Sequence, residues 1–235
     1  MYVMGVINSR RLGKSLGLDI IGADGTKRCN FNCIYCEVGN GKYETKRGVY
    51  ADFDVALEEL KKSYTSDVDV ITFSGNGEPT LNIELGNYID AIKEFTKTPV
   101  CVITNSTTLN DAEVVNALLK ADIVMPSIDT CSVDTFKLID RPLHVDLDIV
   151  MKSLLDFSSI YKGKLFLEIL FVKGVNDSEE DILRLTEFVK LVNPTELHIN
   201  TVDRTPAEKV EFYTPEEKDE LANFFVGLGI EVKMY

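Results

Sequence analysis

The stretch KRCNFNCIYCEVGNG, residues 27–41, holds three of the five cysteines of this 235-residue chain. Cys29, Cys33 and Cys36 follow the spacing C-x3-C-x2-C, with asparagines and a lysine around them. Closely spaced thiols in a polar loop indicate ligation of a metal or a cluster. A structural zinc site needs a fourth nitrogen or sulfur ligand, which one of the two distant histidines would have to supply.

An iron–sulfur cluster fits the triad better than zinc or three buried thiols. Thiolates suit iron–sulfur chemistry, and a short loop can hold three corners of a cubane. The fourth iron then has no protein ligand and can bind a small molecule through an amine and a carboxylate. The two alternatives, zinc and buried thiols, stay open at this point.

The composition bounds the location and the partners of the protein. No apolar run is long enough for a transmembrane helix, and residues 1–15 lack the pattern of a signal peptide, so we expect a cytoplasmic protein. The net charge of −13 argues against a nucleic-acid partner, because phosphate contacts require a basic face. Lys42, Lys46 and Arg47 still form a local basic patch in the sequence around the cysteines.

Short β-branched runs alternate with amphipathic stretches along the chain, which predicts an α/β fold of parallel strands covered by helices. Both a doubly wound sheet and an incomplete barrel satisfy this pattern. We predict a single domain, 1–235, with an N-terminal extension at 1–15 and a cluster-binding loop at 22–50. The predicted strands are 16–21, 68–74, 99–105, 121–129, 164–172 and 195–202, with a short last strand in GIEVKMY, and the predicted helices are 53–64, 82–97, 110–120, 146–160, 178–192 and 214–228.

Polar and glycine-rich segments follow each predicted strand. The cysteines follow the first strand, and SGNGEPT, TNSTT, SIDTCS, KGVND and NTVDRTP follow the others in turn. Since ligands of parallel α/β sheets bind at the carboxyl ends of the strands, these segments should converge on one rim.

The cysteine motif with Tyr35 before the third cysteine, C-x3-C-x-aromatic-C, together with SGNGEP at 74–79, resembles the radical S-adenosylmethionine (SAM) enzymes. NSRRLGKSLGLDI, FSGNGEPTL and NTVDRTPAE extend the resemblance to a compact group of iron–sulfur oxidoreductases related to tRNA wyosine-base synthases. The resemblance implies a partial (β/α)6 TIM-like barrel, a [4Fe–4S] cluster on the three cysteines, and SAM on the open iron. It also implies an electron donor such as flavodoxin or ferredoxin.

The resemblance further implies a set of cofactor-binding residues at the rim. The glycine–glutamate segment should hold the methionine end of SAM, and Tyr35 should pack near the base. Glu168, an acid in the apolar run LFLEILFV, should face a polar cavity or an arginine. The full predicted set is Tyr35, Ser74, Gly75, Gly77, Glu78, Asn105, Ser127, Asp129, Glu168 and Asn176, with Cys29, Cys33 and Cys36 as metal ligands.

Several other residues stand out without an assigned role, and no catalytic residue is predicted. They are the Ser9-Arg10-Arg11 segment, Arg141, Asn200 and Arg204. We expect His198 to have a core or supporting role, Cys131 to be a thiol at the rim, and Cys101 to pack in the core.

The resemblance implies that SAM is cleaved to methionine and a 5′-deoxyadenosyl radical that abstracts hydrogen from an unidentified substrate. The alternatives are an activase that installs a glycyl radical on a partner enzyme, a tRNA-modifying enzyme, and a zinc-stabilised binding module. Because one fold serves many substrates, the sequence does not name the molecule that loses its hydrogen.

Overall fold

The computed structural model describes all residues from 1 to 235. One sheet of eight strands runs through the chain, with neighbouring strands in sequence order. The strands are Val3–Ser9 (β1), Gly13–Leu18 (β2), Val70–Phe73 (β3), Val100–Thr104 (β4), Ile123–Pro126 (β5), Lys164–Phe171 (β6), Glu196–Thr201 (β7) and Glu231–Met234 (β8). The helices are Phe53–Ser63 (α1), Leu85–Phe95 (α2), Ala112–Leu118 (α3), Val133–Ile139 (α4), Leu147–Ile160 (α5), Glu179–Val192 (α6) and Pro215–Asn223 (α7).

The sheet is parallel from β2 to β8, and only β1 runs antiparallel to its neighbour. It curls into a half-barrel with helices on its outer face, which confirms the predicted partial TIM-like barrel. In such a fold the carboxyl ends of the parallel strands share one rim. None of the helices combines the length and the hydropathy that spanning a bilayer requires.

Strand alternation divides the side chains between two faces. On β6, Leu165, Leu167 and Ile169 belong to the large core between sheet and helices. Phe166 points the other way and joins a small apolar cluster on the inner face, which also contains Cys101 and other strand residues. The even-numbered residues of β6 therefore face the interior of the half-barrel.

Local sequence signals set the helix starts. Asp52, Asp111 and Ser132 accept hydrogen bonds from backbone N–H groups of the first turns of α1, α3 and α4. Thr214 and Glu217 form a reciprocal capping box at α7, where Pro215 occupies the first turn.

Several element predictions differ from the structure. Strand β2 ends at Leu18, not at residue 21, because the Asp19 carboxylate accepts hydrogen bonds from the N–H groups of Ile21 and Gly22 and turns the chain. Helix α4 was not predicted, and the last predicted helix ends at Asn223 instead of residue 228. The predicted final strand is present as β8.

The N-terminal residues are part of the sheet and not a separate extension. Strand β1, which was not predicted, pairs with β2 in a hairpin whose tip spans residues 9–13. From this tip Arg11 pairs with Glu168 on β6, and Arg10 pairs with Asp203 beyond β7. The tip thus crosses the inner side of the half-barrel.

Candidate functional site

A cavity of about 270 Å³ lies at the carboxyl ends of β3, β4 and β5, under the loop that follows β2. Eleven of the predicted site residues line it: Cys29, Cys33, Tyr35, Cys36, Ser74, Gly75, Gly77, Glu78, Asn105, Ser127 and Asp129. The expected convergence of the strand-end segments on one rim is therefore observed for these residues.

The cysteine loop, within residues 19–52, contains no helix or strand and is held in place by backbone pairing with the glycine loop after β3. The Arg28 N–H donates to the carbonyl of Asn76 at 2.9 Å, and the Glu78 N–H donates to the carbonyl of Arg28 at 2.9 Å. These two bonds place Cys29 directly beside the glycine loop, so the cysteine and SGNGEP motifs form one unit.

Two glycines make this close approach possible. Gly77 has φ 150°, and a Cβ there would lie 1.8 Å from the Arg28 carbonyl oxygen. Gly75 has φ 142°, and a Cβ there would lie 2.2 Å from the carboxyl carbon of Asp19. Since no side chain fits at either position, the backbone of this loop requires glycine.

Glu78 is buried and its carboxylate is fully used inside the protein. Oε2 accepts from the Asn105 N–H at 2.7 Å, and Oε1 accepts from the N–H and hydroxyl of Thr80 and the hydroxyl of Thr104. Burial raises the pKa of Glu78, while these donors oppose the shift. The carboxylate therefore fixes the loops after β3 and β4 with respect to each other.

The three thiols are reduced and half-buried. Asn105 Nδ2 lies 3.5 Å from Cys29 Sγ, and the Cys33 thiol donates to Asp140 at 3.3 Å. Burial raises the pKa of Cys29 to about 12, so metal or cluster binding must displace a thiol proton.

The spacing of the thiols argues against a zinc site. No group of three His, Cys, Asp or Glu side chains is close enough to hold a single metal ion. The thiols instead border one cavity from separate positions, as ligands to three different corners of a cluster require. The donor set and the cavity fit an iron–sulfur cluster.

Tyr35 and two buried acids form the far wall of the cavity. The Tyr35 hydroxyl donates to Asp129, whose other oxygen accepts from the Leu170 N–H at 2.8 Å. Burial raises the pKa of Asp129 to about 6, and burial with the neighbouring charge of Asp129 raises that of Asp140. Tyr35 is thus oriented by a hydrogen bond at its outer end, with its ring at the cavity.

Two predicted cofactor residues do not line the cavity. The side chain of Asn176 spends its hydrogen bonds on the backbone, accepting from the Val172 N–H and donating to the carbonyls of Asp129 and Leu170. Asn176 therefore supports the backbone of the rim and does not line the cavity. Glu168 faces the inner side of the half-barrel and forms an ion pair with Arg11. This is the arginine partner that we expected for a buried acid.

The rim arginines of the sequence analysis all have acidic partners. Arg141 pairs with Glu208, and Arg204 pairs with Glu37 at 2.8 Å. The Glu208 N–H also donates to the carbonyl of Ile34, so the segment after β7 holds the cysteine loop from above.

The remaining residues singled out from the sequence lie outside the cavity. Cys101 is fully buried in the inner apolar cluster, as expected for core packing. Cys131 is half-buried against the main core. His198 is fully buried on β7, with Nε2 2.8 Å from Glu196, and Asn200 donates to Glu168.

Eight further residues line the cavity and were not in the predicted set: Phe31, Pro79, Ile103, Thr104, Ile128, Phe136, Asp140 and Val150. Asp140 precedes Arg141 in the segment IDRP, and its backbone carbonyl accepts from the Asn32 N–H at 3.0 Å. An acid directly after a short helix and two residues before Pro142 was the available signal, but α4 itself had not been recognised.

The protein-family model described as the Radical SAM superfamily matches residues 25–186 of this chain. A UPF0026 protein of Helicobacter pylori is 33% identical over 234 residues, which are 98% of this chain and 75% of that protein. A GTP 3′,8-cyclase of Clostridium botulinum is 29% identical over 166 residues, 69% of this chain and 50% of the relative.

A Brachyspira hyodysenteriae protein named GTPase Obg is 38% identical over 228 residues, or 95% of this chain. The chain spans only 33% of that relative's length. The Gly-Lys-Ser triplet at 13–15 lies in β2 and lacks the preceding glycine of a phosphate-binding loop, so the GTPase name is not explained by the shared part.

Solved structures share the fold. Streptococcus suis SuiB bound to S-adenosylmethionine superposes with a TM-score of 0.73 at 18% identity, covering 93% of this chain and 50% of SuiB. TYW1 with a lysine–pyruvate adduct superposes with a TM-score of 0.67 at 16% identity, covering 90% of this chain and 72% of that chain. At these identities the likeness establishes the fold alone.

Proposed function

Because the chain belongs to the radical SAM superfamily, whose members use a [4Fe–4S] cluster and SAM, we propose that it is a radical enzyme of the oxidoreductase or lyase type acting on a small polar substrate. The observation that carries the proposal is the joining of Cys29, Cys33 and Cys36 to the glycine loop around one cavity. The chemistry supplied by the bound cluster is one electron for the sulfonium of SAM, which splits into methionine and a 5′-deoxyadenosyl radical that takes a hydrogen atom from substrate.

The residues of the cavity would divide the work of holding these groups. The three cysteines would ligate three irons and leave the fourth iron to the amine and carboxylate of SAM. The backbone of Gly75 and Gly77 lines the cavity, so it would hold the methionine end of SAM. Tyr35, held through Asp129, presents a ring face for the base.

A one-electron reductant of the flavodoxin or ferredoxin class would complete the reaction, because each SAM cleavage consumes one electron.

The alternatives receive less support. A tRNA substrate would need an electropositive rim, whereas Arg10, Arg141 and Arg204 at the rim are each paired with an acid. An activase would have to admit a glycine loop of a partner protein to the cavity, and the segment after β7 is tied to the cysteine loop through the Glu208 N–H and the Ile34 carbonyl.

The test compares Cys33→Ala with Cys101→Ala after anaerobic reconstitution with iron and sulfide. We expect Cys33→Ala to lose cluster iron, visible absorbance and 5′-deoxyadenosine formation, while Cys101→Ala keeps all three. If the wild-type protein with reductant and SAM forms no 5′-deoxyadenosine, even slowly and without substrate, the proposed function is wrong.

A further inference from the structure

The inner face of the half-barrel has two different sides. Along β3, β4 and β5 it is apolar, with the cluster that contains Val70, Cys101 and Met125. Along β6, β7 and β8 it is polar, because the inward positions of these strands carry Glu168, Glu196, His198, Asn200 and Lys233. Charged and polar groups inside a barrel are costly unless they are paired or used for binding.

Arg11 and Glu168 are the centre of the polar side. Glu168 is nearly buried, with 7% of its side chain exposed, and Arg11 reaches it from the tip of the β1–β2 hairpin. Asn200 Nδ2 donates to the same carboxylate at 3.0 Å. Both hydrogen bonds go to Oε1 of Glu168; Oε2 accepts none and is not sealed from solvent.

His198 adds a second acceptor without a partner. Its ring is fully buried between Phe166 and Tyr235, and Nε2 lies 2.8 Å from Glu196. Burial lowers the pKa of His198, so the ring is neutral at pH 7 and Nε2 carries the proton toward Glu196. Nδ1 is then an acceptor, and it has no hydrogen-bond donor.

These groups lie next to the cofactor cavity. Ser127 forms a bridge with Glu168, and the Ile128 N–H donates to the Glu168 carbonyl at 3.0 Å. Ser127 and Ile128 both line the cavity. Glu168 therefore lies on the strand next to the one whose end lines the cofactor cavity, and Glu168 itself is not part of the cavity lining.

The residues that build this polar side lie mostly outside the shared part of the superfamily. The family match covers 25–186, whereas Arg11 precedes it and His198 and Asn200 follow it. The two ends of the chain thus meet at Glu168, and they supply groups that the common cofactor chemistry does not require.

We propose that Arg11, Glu168 and Asn200 form a recognition wall for the substrate, and that the substrate is a small molecule with an amine or hydroxyl donor and an oxygen acceptor. The donor satisfies Glu168 Oε2, and the acceptor takes the guanidinium N–H groups that Arg11 leaves free. His198 is sealed from solvent and does not contact the substrate. The wall orients one C–H bond toward the cavity. This inference rests on the proposed function, and it reassigns Glu168 from cofactor binding to substrate binding.

The experiment uses cluster-loaded protein, SAM, reductant and deuterated metabolites from cells of the organism of origin grown in heavy water. Ultrafiltration separates the small metabolites from protein. Hydrogen abstraction from a bound metabolite transfers deuterium to 5′-deoxyadenosine, so the deuterated fraction of this product, measured by mass spectrometry, reports substrate binding. The variants are Glu168→Gln and Arg11→Gln, with Arg10→Gln as the matched control.

We expect the small-metabolite filtrate to give deuterated product, and both wall variants to lower the deuterated fraction at least about tenfold, as the loss of one charged hydrogen bond predicts. Arg10→Gln should keep the fraction, because Arg10 pairs with Asp203 away from the wall. Arg11 is 31% exposed, so its variant should fold even if Glu168→Gln does not, and urea unfolding checks this.

A second measurement separates substrate from cofactor recognition. Equilibrium binding of SAM to Glu168→Gln should stay within about threefold of wild type, since Glu168 is not part of the cavity lining. A tenfold loss would assign Glu168 to the cofactor and overturn the inference, as would an unchanged deuterated fraction in both wall variants. Label that comes only from the protein fraction would also overturn it. Wild-type protein that makes no 5′-deoxyadenosine at all would instead remove the proposed function itself.

Discussion

The two sides of the half-barrel use their polar groups in different ways. On the cofactor side, formed by the cysteine loop and the ends of β3 to β5, the polar atoms of Glu78 and Asp129 are used to fix loops. On the recognition wall, Glu168 keeps Oε2 as a free acceptor atom. A site that positions a shared cofactor needs a rigid frame, whereas a site that selects a substrate needs unpaired groups that the substrate completes.

The largest effect is expected for Gly77→Ala, which attacks the frame of the cofactor side. A Cβ would lie 1.8 Å from the Arg28 carbonyl oxygen at a φ of 150°, so the cysteine loop must separate from the glycine loop. We expect a loss of about 3 kcal/mol or more in unfolding free energy and little bound iron after reconstitution.

Urea unfolding and iron analysis measure both effects, and Gly25→Ala is the control. Gly25 has φ 86° with no atom within 4 Å of the added Cβ, so this variant should lose only about 1 kcal/mol and keep its iron. Equal damage from both substitutions would contradict the role given to the close approach at Gly77.

A smaller effect is expected for Glu78→Gln, which keeps the shape and changes the hydrogen bonds. The amide group cannot accept from all four donors, and its NH2 must face a donor such as the Asn105 N–H. We expect a loss of about 2 kcal/mol in unfolding free energy and weaker SAM binding. Glu113→Gln, at an exposed ion pair with Arg47, should change neither.

The smallest effect is expected from His198→Phe, in the dependence of stability on pH. The pKa of His198 is lowered from 6.5 by burial, so the unfolded chain binds its proton first, and the stability of the folded protein falls as the pH drops below about 6.5. The phenylalanine ring cannot titrate, so the variant should lose less unfolding free energy between pH 7 and pH 5 than wild type. Parallel losses in the two proteins would show that His198 does not titrate in this way.

The cofactor side was largely predictable from the sequence because its chemistry is local. Three thiols must come from one loop to reach one cluster, and a backbone that approaches another backbone must be glycine, so Cys29, Cys33, Gly75 and Gly77 appear as short motifs. Asp140 escaped prediction because its contact with Cys33 depends on α4 and on pairing between segments far apart in the chain.

The wall was not predictable to the same degree. The sequence identified Glu168 as a buried acid that needed a partner, yet it left open whether a polar cavity or an arginine would supply it. Arg11 lies 157 residues from Glu168 in the sequence. Its segment was predicted to be an N-terminal extension, but it forms the hairpin of β1 and β2.

The sequence alone predicted the class of fold, the three cysteines proposed as cluster ligands and the glycine loop, since strand periodicity and close motif spacing are properties of neighbouring residues. The tertiary structure alone decided which groups face the cavity and which face the inner wall. That division depends on the curl of the sheet, which brings the N-terminal hairpin to β6 and β7 and leaves Glu168 with an open hydrogen-bonding atom.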